Sequence, residues 1–170
     1  MNDFLKTIDQ YANGPDRLEL AVSGTTHKHQ HAKPGPGDWS IHEVVIHLAD
    51  SDAVSIERMK RIVAMEEPSL LNFDETAFIR DLKPELQSIE DAMLLFRINR
   101  RQWSRVLRQL PTLAFDRVGH HSVAGPVSLR QMVSLYIEHL EGHLCFIRHK
   151  RERLNCPLSP EPSPTMRLQK

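Results

Sequence analysis

The segment from Met132 to Phe146 contains two histidines at a spacing that permits joint metal binding. At about 100° per residue, His139 and His143 lie four residues apart on one helical face. We predict that a helix bundle buries this face, whose other members are Met132, Leu135, Tyr136, Gly142 and Phe146. Burying two imidazoles among apolar side chains costs free energy unless both find partners, and one metal ion satisfies both rings. The alternative is two core histidines, each hydrogen-bonded to its own neighbour.

A metal site that does chemistry needs three protein ligands and an open position for water or substrate. The third ligand must come from a neighbouring helix, and His47 is the best candidate because it lies near the inner face of a long predicted helix. Taken alone, His47 would more often be a hydrogen-bonded histidine at the edge of the core. Three neutral imidazoles leave the ion its full charge, which lowers the pKa of bound water or thiol. Such a donor set suits nickel, zinc or iron.

Other polar residues are weaker candidates for the site. Tyr136, about one turn before His139, could donate a hydrogen bond to a bound anion, although a core tyrosine is the alternative. Asp74 and Glu75 could contribute from a connector, and Asp74 or His121 could carry a proton. We predict that the remaining histidines named here are solvated, His42 on a helix face that points away from the core and His27, His29 and His31 in a polar loop.

These residues are positioned by four long amphipathic helices, and no segment between them reads as a convincing strand. Gly14 and Pro15 kink or restart the first helix. Ser40 with Glu43, and Ser128 with Gln131, have the spacing of a capping box at the starts of the second and fourth helices. The predicted helices cover about residues 2–23, 40–66, 84–110 and 128–154. The sequence thus predicts an all-α four-helix bundle.

Length and composition favour one domain. The chain has 170 residues, of which 40% are hydrophobic and 26% charged, so it can bury a core. We assign residues 1–154 to the bundle and the proline-rich residues 155–170 to a disordered tail.

The charge balance excludes some classes of partner. With 22 basic and 22 acidic residues, the formal net charge is zero, which is unlike the basic footprint of a nucleic-acid binder. We predict a solvated basic face on the third helix, formed by Arg97, Arg100, Arg101, Arg105 and Arg108. No apolar run is long enough to span a bilayer, the first residues do not form a signal peptide, and the two cysteines imply no disulfide framework. We therefore expect a cytoplasmic protein that binds neither nucleic acid nor membrane.

Two motifs indicate a family. Residues 39–50, W-S-I-H-E-V-V-I-H-L-A-D, resemble the W-S-x-x-E-x-x-x-H-L motif of the DinB/YfiT-like superfamily. Residues 119–129 are similar to the segment before that family's last helix, and His139 with His143 and Leu144 matches its closing histidine pair. The family often has H-D-x-x-H at this pair, whereas Leu140 stands in place of the aspartate here. The similarity extends to about Leu154, with the motifs in the right order.

The resemblance implies an up-down-down-up four-helix bundle in which His47, His139 and His143 bind a divalent metal, commonly nickel or zinc, and it implies a homodimer. Members of the superfamily include thiol-dependent transferases or isomerases that use mycothiol, bacillithiol or glutathione, and proteins described as metal-dependent hydrolases. We therefore expect an enzyme that acts on a small-molecule substrate, with a metal that activates a thiol or water. The alternatives are a non-enzymatic metal-binding protein on the same scaffold and a metal-free bundle that acts as a stress-response adaptor.

Overall fold

The computed structural model describes residues 2–158, and four long α-helices form the body of this part of the chain. Two short helices lie in the connectors. The helices are α1 (Asn2–Val22), α2 (His27–His31), α3 (Ile41–Ala64), α4 (Glu75–Asp81), α5 (Ile89–Leu107) and α6 (Leu129–Arg153). Helices α1 and α3 each pack against both α5 and α6. The predicted four-helix bundle is confirmed.

Contacts between the long helices establish their directions. The starts of α1 and α6 lie together, and so do their ends, so these two helices are parallel. Helices α3 and α5 are also parallel, whereas α3 and α6 are antiparallel. The order is therefore up-down-down-up, as the resemblance implies. The contacts are Phe4–Arg130 and Ala21–Arg151 for α1 and α6, Asp52–Arg100 and Met59–Trp103 for α3 and α5, and His47–His143 and Arg58–Tyr136 for α3 and α6.

Arg100 joins all four long helices near the middle of the bundle. Its side chain is 1% exposed, and its Nε donates to Asp52 Oδ1 of α3 at 2.9 Å. Its Nη2 donates to the Tyr136 carbonyl of α6 at 2.9 Å, and its Nη1 donates to the Tyr11 carbonyl of α1 at 3.4 Å. The prediction that Arg100 belongs to a solvated face is wrong, because the residue lies on the buried stripe of α5. That stripe contains Phe96, Arg100, Trp103 and Leu107.

Gly14 and Pro15 make α1 able to pack against the Arg100 guanidinium. The helix continues through Pro15 without a break. Because proline has no amide hydrogen, the Tyr11 carbonyl lacks its usual donor four residues later. Arg100 Nη1 donates to that carbonyl instead. A Cβ atom at Gly14 would lie 2.5 Å from Arg100 Nη1 and 2.8 Å from Leu140 Cδ2, so only glycine leaves room for the guanidinium.

Replacing Gly14 with alanine should lower the free energy of unfolding by about 1–3 kcal/mol, because the new methyl group must displace Arg100 or Leu140. Gly142→Ala in α6 is the matched control, since nothing lies within 4 Å of a Cβ atom there. The control should raise the free energy of unfolding by about 0.5–1 kcal/mol, the helix preference of alanine over glycine. Urea unfolding followed by circular dichroism measures both values. Equal effects would contradict the role assigned to the close contact.

A small sheet lies beside the C-terminal end of α3 and contains the strands β1 (Ser69–Leu70), β2 (Val118–His121) and β3 (Gly125–Ser128). Their order is β1-β2-β3, with β1 parallel and β3 antiparallel to β2. The prediction that no strand is present is therefore wrong. Strands of two to four residues that contain Gly, His and Pro have too short a pattern for alternation to be detected.

The connectors contain more helix than predicted. The expected polar loop before α3 contains α2, and the connector after α3 contains α4. The third long helix begins at Ile89, with Ser88 as its N-cap, rather than at Pro84. Pro84 starts a separate 3₁₀ turn, Pro84–Leu86, and a second 3₁₀ turn covers Thr112–Asp116.

No helix within residues 2–158 combines the length and apolar character needed to cross a bilayer. The predicted C-terminal tail, residues 155–170, begins inside the described range. There, Arg151 Nε donates to the Cys156 carbonyl at 2.9 Å. Residues 159–170 lie outside the described residues, so the assignment of a disordered tail stays a prediction.

Candidate metal centre

The starts of α3 and α6 are set by reciprocal caps, which fixes where their histidines lie. Ser40 Oγ accepts from the Glu43 amide at 3.1 Å, and Glu43 Oε2 accepts from the Ser40 amide at 2.7 Å. Ser128 and Gln131 form the same pair at the start of α6. Both predicted capping boxes are confirmed. Because the two helices are antiparallel, His47 near the start of α3 faces the second half of α6.

The structure brings together the three histidines predicted from the sequence. His139 Nε2 lies 3.2 Å from His47 Nε2 and 3.2 Å from His143 Nε2. One ligand atom from each ring lies within 4.8 Å of the others. His47 is 1% exposed, whereas the other two histidines are half-buried. The cluster therefore lies deep on its α3 side and reaches the surface on its α6 side.

The spacing of these nitrogens suits a single cation. Nitrogens held about 2.0–2.1 Å from a tetrahedral metal lie about 3.3 Å apart, close to the 3.2 Å seen at His139. Without a cation the contacts are poorly satisfied, because a ring nitrogen carries either one hydrogen or one lone pair. His139 Nε2 can then bond well to only one neighbour. The donor set therefore fits a divalent metal that accepts three imidazole lone pairs.

The electrostatic environment keeps the rings neutral, which metal binding requires. Burial lowers the pKa of His47 to about 3, and the neighbouring His143 and His139 add to the shift. Burial lowers the pKa of His143 to about 4, helped by His139 and Lys150. Burial and the charge of Arg100 also lower the pKa of His139. At neutral pH all three imidazoles therefore carry free lone pairs.

Packing, rather than a carboxylate on Nδ1, orients the rings of His47 and His143. The Nδ1 atoms of His47 and His143 are buried and have no hydrogen-bond partner within the described part of the chain. Metal-binding histidines usually donate this hydrogen to a carboxylate or carbonyl. Leu140, at the position of the family's aspartate, is buried in the apolar core. Aromatic rings surround the cluster instead, with Trp39 5.1 Å and Phe73 6.2 Å from the His47 ring centroid.

A cavity of about 310 Å³ borders the cluster and is open to solvent. His143, Glu75 and Trp39 line it, together with Phe146 and Lys150. Glu75 Oε2 lies 3.5 Å from His47 Nε2. This contact is not an ion pair, because His47 is neutral. Glu75 is 52% exposed, so its carboxylate is accessible from the cavity.

Tyr136, Asp74 and His121 make hydrogen bonds outside the histidine cluster. The Tyr136 hydroxyl accepts from Arg58 Nη1 at 3.1 Å and lies in the core, which was the alternative for this residue. Asp74 Oδ1 accepts from the Ala77 amide as the N-cap of α4. His121 Nδ1 accepts from the backbone amides of residues 123 and 124. Neither Asp74 nor His121 contributes a ligand atom to the histidine cluster.

His42 departs from the prediction that it is solvated. It is 4% exposed, and its Nε2 donates to the Gln87 carbonyl at 2.8 Å. The segment before α5 covers this face of α3, which the helical period of α3 alone could not show. His31 is half-buried and stacks on His42 with ring centroids 4.4 Å apart, while His27 is exposed.

Lys150 was not predicted as a cavity residue, and the prediction that Phe146 lies on a buried face is wrong. Phe146 is 57% exposed, and Leu135, which was predicted on the same face, is 51% exposed. The buried face of α6 instead contains Met132, Tyr136, Leu140 and Leu144. A signal for Lys150 was present, since it lies seven residues, or about two helical turns, after His143. That spacing places it on the same face as the histidine pair.

The order of the four long helices and the cluster of three histidines between α3 and α6 define the class of this protein, a four-helix bundle with a candidate metal centre. The family model of the DinB superfamily matches residues 10–147. The chain belongs to the DinB superfamily.

Individual relatives agree with this assignment. A protein of Oceanobacillus iheyensis, whose name proposes a metal-dependent hydrolase, is 28% identical over 147 residues, or 86% of this chain and 83% of the relative. YfiT of Bacillus subtilis, whose name proposes the same activity, is 26% identical over 150 residues, or 88% of this chain and 84% of YfiT. The solved YfiT structure, described as a four-helix bundle of unusual topology, superposes with a TM-score of 0.83 over 88% of this chain and 86% of that one.

Proposed function

We propose that this protein is a metal-dependent hydrolase of a small molecule, with His47, His139 and His143 as ligands of nickel or zinc. The observation that carries the proposal is the convergence of three neutral imidazoles, 3.2 Å apart at His139, of which His143 lines an open cavity. The names of the relatives support hydrolysis. When bound, such a metal supplies Lewis acidity and lowers the pKa of a water or thiol.

The arrangement favours an enzyme over a purely structural site. A structural metal site is closed by a fourth protein ligand, whereas a catalytic site keeps a position open. Here the histidine cluster adjoins a cavity on its α6 side, and Glu75 at that opening is half exposed. The Glu75 carboxylate can accept a hydrogen bond from the attacking nucleophile and orient it. Trp39 and Phe73 pack against His47 and limit the access of bulk water on that side.

The test begins with elemental analysis of protein purified without a histidine tag, followed by loading with zinc or nickel. The loaded protein is then assayed with a panel of esters, amides and lactones, and separately with glutathione or bacillithiol plus an electrophile. We expect one metal ion per chain and hydrolysis of at least one panel member. Turnover only in the thiol arm would replace hydrolysis with thiol transfer. If the protein binds no metal, both hydrolysis and thiol transfer are excluded as metal-dependent activities of this site.

Glu75→Ala is expected to lower kcat about a hundredfold while leaving the metal content at one ion per chain, because loss of an orienting contact misplaces the nucleophile. Glu85→Ala is the matched control, since Glu85 is exposed in the 3₁₀ turn Pro84–Leu86 and does not line the cavity. Steady-state kinetics and elemental analysis are measured on the same preparations. Loss of metal in the Glu75 variant would make Glu75 a ligand and the site a closed one.

A further inference from the structure

The cavity beside the histidine cluster contains a cation, Lys150, for which residues 2–158 supply no hydrogen-bonding partner. Lys150 lines this cavity with His143, from the same face of α6. Within the part of the chain that the structure describes, no hydrogen bond or ion pair engages its ammonium. The two carboxylates that act on Lys150, Asp38 in the same cavity and Glu43, have other partners, whereas Glu75 lines the cavity on the side of His47. Asp38 accepts from Arg153 at 3.0 Å, and Glu43 accepts from Lys33 at 2.8 Å.

Partial burial makes this cation receptive to an anion. Burial lowers the pKa of Lys150, while Asp38 and Glu43 oppose the shift. Away from bulk water an opposite charge interacts more strongly, so an anion in the cavity gains more there than at a fully exposed lysine. A charged hydrogen bond from Lys150 is therefore a means of selecting a ligand by charge.

The wall next to Lys150 is aromatic. Phe146 lies between His143 and Lys150 along α6, and its exposed ring is centred 5.8 Å from the His143 ring. Trp39 contributes a second ring to the same cavity. The Cα atoms of His143 and Lys150 are separated by about 10 Å of helix rise, and a helical side chain leans toward the N-terminus of its helix. A single flat ring can therefore reach from Lys150 to the histidine cluster.

We propose that this cavity binds a small carboxylate with a flat apolar body of about one ring, with the carboxylate on Lys150 and the ring against Phe146 and Trp39. The volume of about 310 Å³ is at the lower end for ligand sites, which limits the body to that size. Lys150 is thus a specificity residue for the substrate of the proposed hydrolase. The role of this carboxylate as a substrate rests on the proposed hydrolase function, whereas its binding to Lys150 requires no metal.

The test titrates benzoate and its neutral counterpart benzamide into metal-free protein and follows tryptophan fluorescence. Trp39→Phe identifies the cavity signal, because the other tryptophan, Trp103, is buried against Met59 in the bundle. Wild-type protein should bind benzoate in preference to benzamide. Lys150→Met should weaken benzoate binding about tenfold or more and leave benzamide binding unchanged, because only the carboxylate uses the charge. Lys60→Met, at an exposed position of α3, should change neither.

The outcomes separate this inference from the proposed function. Equal affinity for benzoate and benzamide, an equal loss for both in Lys150→Met, or the same loss in Lys60→Met would overturn the inference. A second titration uses zinc-loaded protein. If zinc fails to bind while Lys150 still selects benzoate, the inference stands and the metal-dependent hydrolase falls. If zinc binds but benzoate shows no dependence on Lys150, the hydrolase stands and the inference falls.

Discussion

His139→Ala is expected to abolish stoichiometric binding of zinc or nickel. His139 Nε2 lies 3.2 Å from the Nε2 atoms of both other histidines, so its loss leaves His47 and His143 without the central donor. Removing a group that merely supports a ligand costs about 10–100-fold in metal affinity, and removing a ligand should cost more. The variant should therefore emerge from purification without metal and should not hydrolyse any substrate of the wild-type protein.

His149→Ala provides the matched control on the same helix. His149 is exposed, and its Nδ1 contacts Cys145 Sγ at 3.9 Å, away from the cluster. Metal content is measured by elemental analysis, and thermal unfolding is compared with and without zinc. Zinc at a hundred times its Kd should stabilise wild-type protein and the His149 variant by about 2.7 kcal/mol and the His139 variant by none. Full metal retention in His139→Ala would mean that His139 is not a metal ligand and that the proposed three-histidine site is wrong.

Arg100→Met is expected to lower the free energy of unfolding by about 3–5 kcal/mol, because it leaves the Asp52 carboxylate buried without its counter-ion. Asp52 is 1% exposed, and its Oδ2 already has no hydrogen-bond partner within residues 2–158. The substitution also removes the donors to the Tyr11 and Tyr136 carbonyls. Urea unfolding monitored by circular dichroism gives the difference.

Arg97→Met, one turn earlier on α5, is the surface control. Arg97 pairs with Asp16 and Glu19 but is 38% exposed, so its loss should cost no more than about 1 kcal/mol. The double variant Arg100→Met with Asp52→Leu removes both charges and should recover much of the lost stability. If Arg100→Met alone is no worse than Arg97→Met, the buried ion pair does not hold the bundle together.

The ion pair and the metal centre are coupled through α6. Arg100 donates to the carbonyl of Tyr136, three residues before His139, and its charge adds to the burial that lowers the pKa of His139. The side chain that joins the four helices therefore also contacts the helix of His139 and helps to keep that imidazole neutral. Metal binding to Arg100→Met, compared with wild type at a temperature where both are folded, would measure this coupling.

Features that depend on neighbours in the chain were predicted well. The four long helices follow from a repeating apolar pattern, and the Ser40–Glu43 and Ser128–Gln131 caps follow from residue types three positions apart. The pairing of His139 with His143 needs only the helical period. The family resemblance adds the direction of the helices. The homodimer, the use of a thiol and the compartment stay predictions.

Features that depend on what packs against a residue were predicted poorly. The spacing of the arginines along α5 does not distinguish the buried Arg100 from the solvated ones. Arg100 can be buried because Asp52 on α3 and the carbonyls of Tyr11 and Tyr136 accept its hydrogen bonds. His42 is buried because the segment before α5 crosses it. The three short strands form by pairing between distant segments, which leaves little trace in any one of them.

The sequence by itself therefore determined the helices, their caps and a histidine pair on one face, because each depends on interactions within a few residues. Only the tertiary structure decided that His47 completes the cluster, that Leu135 and Phe146 face outward, and that Lys150 shares a cavity with His143. These relations join residues whose proximity depends on how whole helices pack, and helix packing is a property of the assembled bundle rather than of any segment.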